Sequence, residues 1–189
     1  MKIELNTSGD FIRLAHHRFS VLSDTNQFTT DHSKEPKMAK SNPSKQDITA
    51  VCDAHLKAEF VDMDVDATMA TMTSEPYLTH VPTLTGGTGR DEVRQFYTNH
   101  FVGHWPDDVD VKPISRTTGE NRIVDELIVS FTHDREMRAY LPGIAPTGCK
   151  VVLPHVVVMG FDEAGLVAYE HIYWDQASLL VQVGLLDPS

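Results

Sequence analysis

The stretch Pro154–Asp175, PHVVVMGFDEAGLVAYEHIYWD, decides how the chain is read. Two β-branched, apolar runs flank a short polar turn, which is the pattern of a hairpin. Into those runs are set three ionisable side chains, His155, Glu170 and His171. Alternate residues of a strand share a face. Glu170, Ile172 and Trp174 therefore point one way, and Tyr169, His171, Tyr173 and Asp175 the other. Which set meets His155 depends on the turn. A two-residue turn at Glu163-Ala164 puts His155 opposite Ile172 and diagonal to Glu170. A bulge with Gly165 at positive φ moves the register by one and puts His155 opposite Tyr173, diagonal to His171. The sequence DEAG serves both, and a slip of one residue exchanges every facing partner. A His155–Glu170 pair and a His155–His171 pair are both open at this point, the first being the reading pursued here.

Outward from the hairpin, QASLLVQVGLL reads as a closing helix with Asp175 at its N-cap. Upstream, VDVKPISRTTGENRIVDELIVSFTHD reads as two strands joined at TTGEN, and MRAYLPGIAPTG as a loop. TGRDEVRQFYTNHF reads as a helix with Val93, Phe96, Tyr97 and Phe101 on one side. PYLTHVPTLTGG reads as a strand and a turn, and DVDATMATM as a short helix. QDITAVCDAHLKAEFVDMD places Ile48, Val51, Leu56 and Phe60 at helical spacing, with Asp47 in the first turn, where a carboxylate favours the helix dipole. The order predicts an α+β domain, a mostly antiparallel sheet wrapped around helices.

Residues 1–45 read differently. They hold seven Lys/Arg against five Asp/Glu, whereas the remaining 144 residues hold nine against twenty-two. TTDHSKEPKMAKSNPSKQD is polar and has little to bury. The expectation is a flexible N-terminal extension over 1–45 and one domain over 46–189. The extension lacks the apolar core of a secretory signal, and Glu4 and Asp10 speak against a mitochondrial presequence.

A formal charge of −11 argues against nucleic acid and against an anionic membrane surface as partners. No apolar run reaches the length of a membrane-spanning helix. Two cysteines, Cys52 and Cys149, make neither a disulfide framework nor a zinc knuckle and suit a reducing, cytoplasmic compartment. There is no H-x-H or H-E-x-x-H spacing, although His80, His155 and His171 could converge in space. TGGTGR lacks the dinucleotide fingerprint. The expectation is a protein without metal or other cofactor.

Three segments carry a resemblance. GGTGRDEVRQFYTNHF with the following PDDVDV, LPGIAPTGCKV, and FDEAGLVAYEHIYWDQASLLVQVGLL together resemble the SnoaL-like polyketide cyclases and their ester-cyclase relatives. These belong to the nuclear-transport-factor-two-like superfamily. The likeness implies a cone-shaped (cystatin-like) α+β fold over 46–189, its curved sheet packed on N-terminal helices around a hydrophobic pocket. It also implies an acid/base dyad across the last two strands, which falls on His155 and Glu170, with Glu170 standing where the cyclases carry Asp. His80, on the first strand, becomes a donor to a substrate oxygen. His171, His133, Trp174 and Tyr77 are candidate substrate contacts. Asp125 and Glu126 have opposite faces, so one of them could enter the interior. The last hairpin also resembles small proteins named after dienelactone hydrolases, but no Gly-x-Ser-x-Gly or Gly-x-Cys-x-Gly elbow is present.

The resulting expectation is a cofactor-free enzyme that moves a proton next to a carbonyl of a small hydrophobic substrate, by cyclisation, isomerisation or dehydration. The expected assembly is a homodimer through the sheet. The alternative is a non-catalytic ligand-binding or assembly module. What separates them is a buried carboxylate beside a histidine, which the enzyme needs and the module does not.

Overall fold

The structure, a computed structural model, describes residues 46–187. The expected extension over 1–45 lies outside the described residues.

Three of the four α-helices of the described residues begin on an aspartate. Asp47 accepts from Thr49 N at 3.0 Å and caps α1 (Ile48–Lys57). Asp47 is thus the N-cap itself rather than a residue of the first turn. Asp64 caps α2 (Val65–Ala70) through Ala67 N. Asp175 caps α4 (Gln176–Gln182) through Ala177 N. Gly89 stands before α3 (Arg90–Phe96), where no side chain caps the helix. An aspartate in this place satisfies an amide that has no partner within the helix, an effect of about 1 kcal/mol. Both α1 and α3 run on into a π-helical turn, Ala58–Asp62 and Tyr97–Phe101. Such turns are rare and occur often at functional sites.

Five strands follow in the expected order, and a sixth, β2, forms where a turn was expected: β1 (Met72–His80), β2 (Thr85–Thr88), β3 (Asp110–Thr118), β4 (Arg122–Thr132), β5 (Lys150–Phe161) and β6 (Val167–Trp174). They form one sheet in the order β2-β1-β6-β5-β4-β3. Every pairing is antiparallel except β1 with β6, which run parallel. That parallel join brings the first strand beside the last. His80 pairs with Ile172 and Leu78 with Glu170.

One face of the sheet is buried under the helices. Ile123, Val129 and Phe131 of β4, Val151, Leu153 and Met159 of β5, and Ile172 and Trp174 of β6 line it. Fully burying a side chain of this size contributes about 1.5–3 kcal/mol. Asp125 is on the same face, held by Arg116 Nε and Nη2 at 2.7 and 2.8 Å, while Arg116 Nη1 also reaches Asp53 at 2.7 Å. Glu126 is exposed and bonds Ser115. Of this pair, Asp125 is therefore the one that turns inward, tied into a structural ion-pair network.

The hairpin register differs from both expected forms. His155 stands opposite Trp174, Val157 opposite Ile172, and Met159 opposite Glu170. Two irregularities produce this. Gly165, at φ +85°, closes a three-residue loop in which Asp162 and Leu166 bond each other. A second shift falls between Gly160 and Phe161, where Tyr169 and Val167 are the successive partners and Ala168 is left over. Each shift alone exchanges the faces, and the two together restore them. The parity that puts Glu170 on the face of His155 is therefore kept, but the two are offset by four residues, about 13 Å along the strand.

Candidate functional site

The interior of the cone holds two polar groupings that share a wall. The first is built on Glu170. Its neighbour is not His155 but His55, whose Nε2 lies 2.6 Å from Glu170 Oε1. Glu59, one helical turn after His55 and carried by the first π-helical turn, lies 3.2 Å from the same nitrogen. Tyr97, the first residue of the second π-helical turn, donates to Glu170 Oε2 at 3.4 Å and stands 3.3 Å from His55 Nε2. All four side chains are buried.

The hydrogen-bond chain behind His55 fixes its protonation. Thr71 Oγ1 donates to Thr68 O at 2.6 Å, so toward His55 Nδ1, also at 2.6 Å, it can only accept. Nδ1 therefore carries a proton. Nε2 faces two carboxylates and carries one as well, so His55 is an imidazolium. Burial works against that charge, but the Glu170 and Glu59 carboxylates outweigh it and raise the pKa to about 10. Burial in turn pushes the Glu59 carboxyl up, against the pull of His55. Tyr97 is driven well above the ordinary phenol value, by burial first and then by the two carboxylates.

Glu59 Oε1 and Glu170 Oε1 are near Nε2, yet neither is well aligned as a hydrogen-bond acceptor. One N–H is spread over more oxygens than it can serve. The neighbouring Glu170 carboxylate adds to the rise at Glu59. Among the described residues, His55, Glu59 and Glu170 form the set with metal-ligand composition, their donor atoms lying within 4.8 Å of one another.

The second grouping is aromatic. His80, from β1, is fully buried among the rings of Phe96, Phe101, Tyr140 and Trp174, with centroids 5.2 to 5.6 Å away. Burial lowers its pKa to about 3, so the ring is neutral. His155 belongs here as well. Its Nδ1 donates to Leu153 O at 2.9 Å, which leaves Nε2 to accept from Tyr140 OH at 3.1 Å. Burial holds its pKa down, to about 4. Tyr140 is placed by its backbone: Gln176 Nε2 donates to Tyr140 O, and Trp174 Nε1 donates to Gln176 Oε1. Thr83 and Thr85 bond Ala139 O and hold the same loop down on the β1–β2 turn. Phe96 and Phe101 pack on Tyr97, so the two groupings meet along that helix.

Of the residues expected at the site, Glu170, His155, His80 and Trp174 face the interior. His171 and Tyr77 do not. They lie on the outer face of the sheet with Tyr169 and Tyr173, where the Tyr77 and Tyr169 rings stack at 5.1 Å. Tyr169 lies across Gly160, where a Cβ would come within 2.1 Å of its ring. With His171 outside, the triad His80, His155 and His171 does not converge. His133 is buried at the end of β4 and held by Thr147 Oγ1 at 3.1 Å, so it anchors the loop rather than facing either cluster. Among the described residues the expected hydrophobic pocket is not seen. A cavity of about 10 Å³, room for about one water, lies between His100, Phe101, His104, Trp105, Met137, Ala139 and Tyr140. Sequence reasoning missed His55, Glu59, Tyr97 and Tyr140. For the first two a signal existed, since a His and a Glu four apart on a helix share a face.

No protein-family model matches the sequence, and no curated protein matches it. Solved structures do resemble the fold. One is a protein from Jannaschia sp. CCS1 assigned as a SnoaL-like polyketide cyclase, with 16% identity over 79% of this chain and 99% of that one, and a TM-score of 0.59. Another is AclR from Streptomyces galilaeus, assigned as a hydroxylase, with 18% identity over 74% and 86% and a TM-score of 0.55. A third is a nuclear-transport-factor-two-like protein from Burkholderia pseudomallei, with 21% identity over 72% and 97% and a TM-score of 0.55. The chain has the nuclear-transport-factor-two-like fold. In this cone the acid cluster lies between α1, α3 and β6, and the aromatic box beside it is closed by the loop that carries Tyr140. Folds of this kind do not dictate one chemistry, so the function rests on these side chains.

Proposed function

We propose that this protein is an enzyme that moves a proton next to the carbonyl of a small hydrophobic molecule, in a cyclisation, isomerisation or dehydration. The observation that carries this is the placing of two buried carboxylates, Glu170 and Glu59, on one histidine inside the cone. Glu170, paired with the His55 imidazolium, is the base. It takes the proton from the carbon beside the carbonyl, the electron pair of that C–H bond becomes the C=C bond of an enolate, and the C=O π pair moves onto the oxygen. Glu59, whose carboxyl burial pushes up, is the acid that returns a proton to the oxygen or to a neighbouring carbon. Tyr97 holds Glu170 Oε2, which leaves Oε1 toward His55 Nε2. Solved structures of similar fold assigned as a polyketide cyclase and a hydroxylase lend support to a small-molecule substrate.

The reading is tested by proton exchange. Wild type in D₂O is incubated with a panel of cyclic ketones that includes 2-indanone, and the loss of α-proton signal is followed by NMR. Glu170→Gln keeps the shape and removes the base, and should slow exchange by about 10²- to 10⁴-fold. Glu170→Asp should retain part of the rate. Exchange that is as fast in Glu170→Gln as in wild type, or no faster than buffer across the panel, removes this reading in favour of a ligand-binding module.

A further inference from the structure

His55 and Glu59 stand one helical turn apart, and Glu170 reaches them from the last strand, so one nitrogen and two carboxylate oxygens converge in the interior. Their donor atoms lie within 4.8 Å of one another, and all three side chains are more than nine-tenths buried. Glu59 Oε1 and Glu170 Oε1 are buried without a hydrogen-bond partner. A buried acceptor in this state is costly, and in a native protein it calls for an explanation. A proton on Nε2 does not supply one, because a good acceptor lies along the N–H bond and these oxygens stand to the side of it. Ligands that share one ion with a nitrogen stand to the side of its axis in the same way.

Two of the three groups are also held from behind. His55 Nδ1–H points to Thr71 Oγ1 at 2.6 Å, and Thr71 Oγ1 donates on to Thr68 O at 2.6 Å. A metal-bound histidine almost always gives its other N–H to such an acceptor, which fixes the tautomer and aims the ligating nitrogen. Tyr97 O–H holds Glu170 Oε2 at 3.4 Å, which leaves Oε1 as the donor atom. Nε2 and Glu59 Oε1 are 3.2 Å apart, against roughly 3.3 Å for two ligands about 2.0 Å from one tetrahedral ion. Glu170 Oε1, 2.6 Å from the same nitrogen, has to withdraw by roughly 0.7 Å to reach that separation, within the reach of its own side-chain rotations.

We propose that His55 Nε2, Glu59 Oε1 and Glu170 Oε1 hold a divalent ion of the zinc type, and that the ion shuts the acid/base pair off. One imidazole with two carboxylates suits zinc and its neighbours, whereas magnesium and calcium require a larger set of oxygens. The charge fits as well. Two carboxylates and one divalent ion sum to zero in an interior where an uncompensated charge is costly. The ion takes the place of the Nε2 proton, and it occupies the Glu170 oxygen that would accept a proton from a substrate. The binding site rests on the three side chains alone. Its inhibitory effect rests on the proton-transfer reading of the same cluster.

The experiment uses the full chain, freed of metal by a chelator, with Zn²⁺ or Co²⁺ alone as the probe. Calorimetry should show one tightly bound Zn²⁺ per chain, and Co²⁺ should develop the visible absorption of a four-coordinate site. Glu59→Gln keeps the shape and removes one anionic ligand, and should weaken Zn²⁺ binding at least tenfold. His55→Gln should abolish the Co²⁺ absorption. His171→Ala, on the outer face, should bind as wild type does. X-ray absorption of the zinc-loaded chain should show one imidazole nitrogen together with carboxylate oxygens at about 2.0–2.2 Å. No uptake at a tenfold excess of Zn²⁺, a wild-type affinity in both Glu59→Gln and His55→Gln, or a zinc shell of two or more imidazoles overturns the proposal. If the variants do not fold, the zinc shell of wild type decides. None of these readouts needs turnover. Zinc-loaded wild type should also exchange ketone α-protons at least tenfold more slowly than the metal-free chain, and a chelator should restore the rate. Exchange that is unchanged at full occupancy overturns the proposal. A chain that binds zinc at these residues but exchanges no ketone with or without it leaves the site standing, and removes the acid/base reading together with the inhibitory role.

Discussion

Glu170 Oε1 lies 2.6 Å from His55 Nε2, with both side chains buried, and the second carboxylate of Glu59 reaches the same nitrogen. A helix near the start of the domain and its last strand are joined by one ion pair in the dry interior. Removing one partner of such a pair leaves the other charged and alone, a loss of about 3–5 kcal/mol.

The first prediction is therefore that His55 and Glu170 are energetically coupled. In a double-mutant cycle with His55→Gln and Glu170→Gln, measured by urea unfolding, the coupling should exceed about 1 kcal/mol. Additive effects of the two substitutions would show that the pair contributes nothing of its own.

Thr71 deserves a test of its own because it sets the protonation of His55. Thr71→Val keeps the volume and removes the acceptor for Nδ1–H. A buried donor left without a partner costs about 1–3 kcal/mol. The variant should be less stable by about that amount, and the pKa of His55, read by NMR, should fall. A histidine that titrates as before would show that Thr71 does not govern it.

The pH dependence of stability has a defined sign. The pKa of His80 is lowered to about 3 and that of His155 to about 4, so the folded state holds fewer protons there than the unfolded chain. Their contribution is complete above about pH 6.5 and is lost as pH falls toward 4, at about 1.4 kcal/mol per pH unit for each group. Glu59, with its raised pKa, acts in the opposite sense over part of this range, as one group against two. His55, raised to about 10, contributes stability that is present below about pH 6.5 and lost as pH rises toward 10. Urea unfolding from pH 4 to 10 should show a maximum near neutrality. Stability that is level between pH 4 and 6.5 would contradict the neutral, buried state of the two histidines.

The outer face makes a separate prediction. Tyr77 and Tyr173 are 37% and 40% exposed, beside Tyr169 and His171. We propose that a second copy of the chain covers this face, which requires about 800 Å² from each partner. Sedimentation of wild type should give a dimer, and Tyr173→Glu should give a folded monomer. His171→Ala should alter association or stability and leave ketone exchange intact, since His171 points away from the acid cluster. A wild-type chain that sediments as a monomer at tens of micromolar rules this face out.

What the sequence determined by itself was local. Asp175 before a helical run read as a cap, TTGEN as a turn, and alternation in VAYEHIYW as two faces, because capping, turn conformation and the pleat depend on neighbours a few residues away. Which side of β6 joins His155 is open between two registers in the sequence, and the one pursued has the right face for an incomplete reason. The Gly165 loop could be foreseen, but the second shift at Ala168 depends on Tyr169 packing over Gly160 and against Tyr77, a contact between β5, β6 and β1. The partner of Glu170 was beyond the sequence. His155 lies close to it along the chain and shares its face, but strand pairing carries His155 to Trp174 and so to the aromatic box. His55 reaches Glu170 only because α1 crosses the inner face of the sheet there and a π-helical turn brings Glu59 alongside. Which helix lies over which strand is fixed by how the whole apolar face packs, and no local run of residues encodes it.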